Sequence, residues 1–231
     1  MAPPHDVNFC FPVPPNLQND RVKLVPFFPS EHADAFFAAA GAHPELFTYL
    51  TFGAQDFVTT VIEQRIQPDR GTVLFAVFDT SVAGAAPQLA GTIGLLDTSA
   101  ANLSTEVGFV ITLPRFQRTH VTSNAAGLLL QWALETPEAG GLGLRRVAWK
   151  ANVHNAGSVR VAERLGFRRE GVLRWDRVIP AGRTKGGNGG GVRGGDPRPD
   201  YLSRDTLLLG LCWDDWESGA RESVNKIMQR R

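Results

Sequence analysis

From Glu106 to Leu113 the chain alternates, with Val107, Phe109, Ile111 and Leu113 on one face of an extended segment and Glu106, Gly108, Val110 and Thr112 on the other. This is the period of a strand. A polar stretch, Pro114 to Asn124, follows it, and from Ala125 good helix formers run to Glu135, just short of Pro137. Either Thr122 or Ser123 is placed to cap that helix. A strand, a turn and a helix in this order leave main-chain N–H groups unpaired at the positive end of a helix dipole, the usual holder of a phosphate or pyrophosphate. Arg115 and Arg118 bring positive charge to the same turn.

The remaining pattern places this unit inside a mixed sheet. Arg21 to Phe27 alternates as a first strand, Ser30 caps a helix through Ala40, and Asp56 caps a second whose apolar residues are Phe57, Val58, Val61, Ile62 and Ile66. Thr72 to Asp79 and Leu89 to Asp97 form a hairpin across a Gly, Ala and Pro turn and lead into the strand at Glu106, giving three consecutive antiparallel strands. Leu144 to Lys150 then returns as a strand parallel to its predecessor, because a helix lies between them. Ligands of open sheets sit where such a pattern changes. Asn155 reads as a helix N-cap, Val161 and Leu165 as a helical pair, Gly166 as a left-handed C-terminal stop, and Phe167 as the start of a return strand. A late strand spans Arg204 to Trp213, and Asp214 caps a final helix with Trp216, Ala220, Val224 and Ile227 on one face. The division expected is an extended arm over 1–20, one domain over 21–216 carrying a flexible glycine-rich loop at 181–200, and a C-terminal helix over 214–231.

Composition narrows the partners. With 231 residues, 43% of them hydrophobic, the chain has material for one sizeable α/β core. A formal charge of +1 argues against a nucleic-acid partner or an anionic membrane surface. The N-terminal residues carry no basic, apolar leader pattern and no run reaches the roughly 18 apolar residues of a membrane span, so a soluble, cytoplasmic protein is expected. Cys10 and Cys212 are the two cysteines, without Cys or His partners at metal spacing, and read as free thiols with no metal site.

Asn155-x-x-Ser158, then Glu163-Arg-Leu-Gly-Phe167, then Glu170-Gly-Val-Leu-Arg174, set after the strand and the LLLQWALE helix, resemble the GNAT superfamily of acyl-CoA-dependent N-acetyltransferases. Within it they are similar to the branch that acetylates ribosomal-protein N-termini. The similarity runs from about Arg21 to Trp216 and is densest over 105–175. It implies a GNAT-like α+β fold: a central mixed, mostly antiparallel twisted sheet of about seven strands flanked by helices. In that family the turn after the fourth strand follows Q/R-x-x-G-x-G/A, which falls here on Gln117, Arg118, Thr119, His120, Val121 and Thr122; His120 and Thr122 replace its small residues.

The resemblance implies acetyl-CoA as co-substrate, held by Val110 and Ile111 on the strand, by Gln117, Arg118, Thr119, His120, Val121, Thr122 and Ser123 at the turn, and by Asn155 and Ser158 beyond the next strand. Amine acetylation needs a base, because an ammonium of pKa near 10 has no lone pair to attack a thioester. Glu106, a carboxylate at the switch point, suits that role; as a strand-end Glu it also reads as a solvated residue. Ser158 suits donation to the departing thiolate where many relatives use a Tyr, since the two tyrosines here are Tyr49 and Tyr201. Asn155 reads equally as a helix cap. His120 and His154 have the pKa of proton carriers but the loop setting of surface groups. Trp132 and Trp149 read as core, and Asp176, Arg177 and the loop cations Arg183, Lys185, Arg193 and Arg198 as candidates to face an acceptor. Two functions follow from this set. One is acetyl transfer to a primary amine, a protein N-terminus or a small amine, by direct attack in a ternary complex of a monomer or homodimer. The other is a GNAT-fold protein whose transfer is lost or repurposed.

Overall fold

A computed structural model describes residues 7–230. Eight strands form one sheet in the order β1-β2-β3-β4-β5-β6-β8-β7. They are Leu17–Gln18, Val22–Pro26, Val73–Asp79, Gln88–Ser99, Ser104–Thr112, Arg146–Asn152, Arg168–Ile179 and Leu202–Cys212. Every pair is antiparallel except β5 with β6, which the intervening helix makes parallel. The eighth strand, beyond the seven read from the pattern, is the two-residue β1.

The helices are α1 (Pro29–Ala40), a π-helix over Phe57–Ile66, α2 (Val121–Leu134), α3 (Ala156–Arg164) and α4 (Arg221–Gln229). Several caps differ from the sequence reading. Helix α1 starts one residue before Ser30, because Pro29 is preorganised for the first helical position. Neither Thr122 nor Ser123 caps α2, which already begins at Val121 after His120. Asp56 precedes the π-helix without a side-chain bond into it and accepts from Gly53 N instead. At the C-terminus, Cys212 rather than Asp214 is the N-cap, and Asp215 closes the reciprocal bond. Asn155 does cap α3, accepting from Ser158 N at 3.1 Å, and Gly166 is left-handed at φ 95°.

Five consecutive residues of β3, Val73 to Val77, are buried, so both faces of the sheet must be covered. Helix α2, buried along almost its whole circumference, supplies one cover, with Trp132 edge-on to Phe75 at 5.9 Å. Phe9 of the N-terminal segment packs on the same Trp132 at 6.1 Å. A cluster of Phe27, Phe36, Phe52 and Phe57 joins α1, the π-helix and the 44–53 segment to Phe109 of β5. Of the expected π-helix face, Phe57, Val61, Ile62 and Ile66 are buried; the Val58 side chain, residues 1–6 and Arg231 lie outside the described residues. Helix α4 closes on α2 where Gly127 leaves room for Met228 and Val224. Among the described residues no helix is long and apolar enough to cross a membrane.

The glycine-rich segment 181–200 has little apolar surface, and polar bonds from outside hold its first half. Arg183 donates to Phe47 O and Phe52 O at 3.0 and 2.8 Å, Asn152 Nδ2 to Gly186 O at 2.7 Å, and Asn188 N to Ser203 O at 2.6 Å.

One irregularity shapes the middle of the sheet. Gly94 pairs with Gly108 and Thr92 with Ile111, so a single β4 residue faces two on β5. Phe109 takes φ 50° at this bulge, and Thr92 Oγ1 donates to its carbonyl at 2.9 Å. Gly91, at φ 153°, lets β4 approach just beyond: a Cβ there would meet Ile111 O at 2.0 Å. Gly91→Ala is therefore expected to cost about 1–3 kcal/mol, a fall of roughly 2 to 12 °C in melting midpoint at about 2–4 °C per kcal/mol. A midpoint within a degree of the native value would show that the two strands are not in this contact.

Candidate active site at the parting of two strands

Strands β5 and β6 pair from Ser104 with Arg146 only as far as Val107 with Trp149. Beyond that point β5 continues to Thr112 and β6 to Asn152 without a ladder between them. The bulge at Phe109 comes just past the last of these pairs, and a bulge bends the strand that carries it. From Gly108 to Thr112 the edge of β5 that faces β6 thus has no strand partner; Val110 lies in this stretch, the carbonyls of Phe109 and Ile111 lie toward β4, and that of Thr112 accepts from Gln117. An extended amide-bearing ligand can bond to such an edge as a strand would. Ile111 is turned away from this edge, its side chain buried in the core and its carbonyl lying against Gly91 of β4.

Helix α2 starts at the end of this edge. Its N-cap, His120, has φ −68° and ψ −21°, a conformation open to any residue, so glycine is not required there. The left-handed residue of the turn is Arg118, at φ 61°. Side chains at the turn fold back onto the protein. Thr119 Oγ1 donates to Phe116 O at 2.6 Å, His120 Nε2 meets Asp79 Oδ1 at 3.2 Å, Thr122 and Thr112 share a hydroxyl contact at 2.8 Å, and Gln117 Nε2 donates to Thr112 O at 3.1 Å. The first-turn N–H groups of α2, from Val121 through Ser123, have no carbonyl of their own helix to reach. Burial opposes charge on Asp79, but hydrogen bonds from Ser81 and the adjacent His120 outweigh it and hold the carboxyl below its usual pKa.

A cavity of about 370 Å³ opens at this helix end, lined by Arg21, Arg118, Thr119, His120, Ser123 and Arg164, with Ile227 and Arg230 from the C-terminus. Arg164 donates to Ser123 Oγ at 2.9 Å, and Arg21 to the carbonyls of Met228 and Arg230 at 3.2 and 2.5 Å. Arg21, Arg164 and Arg230 escaped the sequence reading because β2, α3 and the C-terminus meet only in the fold. Arg115, expected at the turn, stacks over Phe116 at 5.8 Å and does not line the cavity.

Register places Glu106, Lys150, Asn152, Arg204 and Thr206 on one face of the sheet. Glu106 is buried, and Lys150 Nζ lies 2.6 Å from its Oε2 and 3.2 Å from Asp97 Oδ2. Burial pushes the Glu106 carboxyl above the usual range, while Lys150 pulls in the opposite direction without cancelling it. For Lys150, burial alone would favour the neutral amine; Glu106 and Asp97 outweigh it and raise its pKa. Arg204, also buried, donates to Thr206 Oγ1 and to Tyr49 O at 3.1 and 3.0 Å, and burial lowers its pKa against the pull of Asp176. Arg177 lies 3.5 Å from Asp176. Of the loop cations, Arg183 is spent on backbone carbonyls and Arg198 stacks on Tyr201. His154 is exposed.

Ser158 lies on the other face: Trp149 is one residue out of step with Lys150, and its Nε1 donates to Ser158 Oγ at 2.9 Å. Glu106 and the indole that holds Ser158 thus stand on opposite faces of the sheet, from neighbouring positions in the β5–β6 register. Asn155 stands beside Ser158 as its cap, whereas Gln117 to Ser123 belong to the α2 end. Cys212, Asp214 and Asp215 bring ligand atoms within 4.8 Å of one another, but Arg168 already holds Asp215 at 2.6 Å.

A family model described as an acetyltransferase (GNAT) domain matches residues 21–168. Among solved structures, a GCN5-related N-acetyltransferase from Brucella melitensis is 24% identical at TM-score 0.72, covering 94% of this chain and 86% of that one. Mycobacterium smegmatis RimJ, in complex with CoA-disulfide, is 14% identical at TM-score 0.62, covering 89% and 88%. A spermidine N-acetyltransferase from Vibrio cholerae, in complex with CoA and spermine, is 14% identical at TM-score 0.58, covering 86% and 99%. At these identities the likeness is one of fold. No curated protein sequence matches the chain.

The strained turn yields a test without ligand. An L-residue in the left-handed region carries a steric cost that glycine avoids. Arg118→Gly is expected to stabilise the free protein by about 0.5–1 kcal/mol, a rise of roughly 1 to 4 °C in melting midpoint. An unchanged or lower midpoint would show that the guanidinium repays the strain through the fold.

Proposed function

This chain belongs to the GNAT acetyltransferase family, and from that premise we propose that it moves an acetyl group from acetyl-CoA to a primary amine by direct attack in a ternary complex. The observation that carries the reading is the internal edge of β5, opened by the bulge and ending at a helix N-terminus ringed by arginines. That edge suits the amide-bearing arm of CoA, and the arginine-lined helix end suits its phosphates. His120 and Thr122 are compatible with this because their side chains are bonded elsewhere and no residue from Gln117 to Asn124 is a proline, so each carries a main-chain N–H.

Acetyl-CoA supplies an activated thioester. Glu106 takes a proton from the incoming ammonium so that nitrogen has a lone pair to form the C–N bond, and Ser158, on the opposite face, gives a proton to sulfur as the C–S bond breaks. Burial keeps Glu106 more basic than an exposed carboxylate, which favours proton abstraction near neutral pH. Asn155 holds the main chain of Ser158. The acceptor is a small amine or a protein N-terminus; the fold likeness to a spermidine N-acetyltransferase supports the small amine. Use of acetyl-CoA supports cytoplasmic residence, and no second subunit is needed to complete this site. One observation favours the alternative of a binding protein without transfer: Lys150 already occupies the Glu106 carboxylate.

An acceptor screen with thiol detection separates the two readings. If Kd is on the order of 10 μM, acetyl-CoA at about 1 mM stabilises the protein by roughly 2.7 kcal/mol, or about 5 to 10 °C. No shift in folded protein would remove both the cofactor site and the transferase reading; a shift without thiol release would favour the binding protein.

Glu106→Gln is expected to lower turnover about 100- to 10,000-fold while preserving the acetyl-CoA shift. The base works only when deprotonated, so native turnover falls as pH drops through a value above the ordinary carboxylate pKa. The variant loses that limb. Full turnover in Glu106→Gln with the same pH profile would take Glu106 out of the mechanism.

A further inference from the structure

Trp149 is a core residue by every measure of packing: it is 2% exposed and meets Phe167 edge-on at 5.6 Å. Packing does not account for its one polar atom. Indole Nε1 can only donate, so in the 2.9 Å contact Ser158 Oγ must accept. The hydroxyl proton of Ser158 is then directed elsewhere, and no protein atom among the described residues takes it. A serine in a helix ordinarily gives that proton to a carbonyl one turn back. Here the indole claims the oxygen and leaves the proton free.

The position of this pair gives the free proton a destination. Trp149 is the last β6 residue that pairs with β5, so the indole that holds Ser158 springs from the level where the strands part. The Ser158 main chain is fixed as well, by its bond to Asn155 Oδ1 at 3.1 Å. We propose that Trp149 is a positioning residue for Ser158, locking its hydroxyl as an acceptor toward the indole so that its proton points into the opening between β5 and β6. This rests on the reading that Ser158 protonates the departing thiolate. In the step served, the C–S bond breaks, its electron pair stays on sulfur, and the hydroxyl proton moves to that sulfur; the serine recovers a proton from solvent. Accepting the indole N–H also polarises the hydroxyl toward donation.

The test is a double-mutant cycle of Trp149→Phe, which keeps a ring against Phe167 but has no N–H, with Ser158→Ala. Thiol release from acetyl-CoA is followed with the amine found in the acceptor screen and with water alone. Trp149→Phe is expected to lower kcat about 10-fold, the weight of one hydrogen bond, with KM for acetyl-CoA and the acetyl-CoA melting shift unchanged. Ser158→Ala is expected to lose at least as much, and Trp149→Phe to change the rate less than about twofold in that background. Equal losses in both backgrounds would reduce Trp149 to packing and overturn the proposal. Normal kcat in Trp149→Phe beside an impaired Ser158→Ala would also overturn it while leaving Ser158 as the proton donor. Normal kcat in Ser158→Ala would remove that assignment and the proposal together. No thiol release from native protein under either condition would remove the transferase reading itself, and the positioning role with it.

Discussion

The extra residue at Phe109 is the constraint from which the site follows. A parallel pair of strands normally continues until one ends, because every unpaired main-chain group inside a sheet costs free energy. Here β5 is bonded to β4 through the bulge and to β6 only as far as Val107, so its other edge has no strand partner from Gly108 to Thr112. The structure stabilises this opening from β4. Thr92 satisfies the Phe109 carbonyl, Gly91 lets the chains approach, and Phe109 itself is clamped by Phe52 at 6.0 Å and by Arg65 over its ring at 5.8 Å. A bulge held this firmly keeps its unpaired edge in place without a ligand.

Alternation along the two strands then separates the chemistry. Consecutive residues point to opposite faces, so Glu106 with Lys150 falls on one side and Trp149 with Ser158 on the other. A proton can be taken on one face and given on the other with no competition between the two groups. The same separation divides the surroundings. Around Glu106 lie Arg204 and Asp176, with the 44–53 segment held by arginine bonds to the carbonyls of Phe47, Tyr49 and Phe52. Ser158 instead meets the indole of Trp149, which packs edge-on against Phe167.

What could be read from sequence was what depends on neighbours along the chain. The Asn155 cap and the left-handed Gly166 are local, and the structure has them; the alternation expected of Val107, Phe109 and Ile111 is interrupted by the bulge, which sets Ile111 opposite Thr92 and so on the Glu106 face. The parallel return of β6 followed from the helix between the strands. What was not legible depends on tertiary contact. Thr122 looks like a cap, but its hydroxyl is claimed by Thr112, across the turn. Arg115 and Arg118 look alike in sequence, yet only Arg118 reaches the cavity. Arg21, Arg164 and Arg230 carry no motif. Glycine content alone made 181–200 read as loose chain; its anchors are side chains of Asn152 and its own Arg183, bonded to backbone far away in sequence. Lys150 was invisible as a partner of Glu106 because register sets that pairing.

The Lys150 contact bears directly on how an acceptor can enter. A buried carboxylate left without a partner is costly, so in the free protein an internal ammonium at 2.6 Å is the natural companion of Glu106. An incoming substrate ammonium has the same charge and the same donor chemistry, and can replace Lys150 only if Lys150 has somewhere to go. Asp97 provides that place. It already lies 3.2 Å from Lys150 Nζ, and its side chain is 63% exposed, so its own desolvation is slight. Moving Lys150 fully onto Asp97 exchanges one carboxylate for another at the solvent edge and leaves Glu106 facing the new amine. The exchange conserves ion pairs, and its cost is confined to a short swing of a flexible side chain. The pairing that looks like an obstacle to a base at Glu106 is thus a way of keeping that carboxylate buried, ionised and in place until an amine arrives.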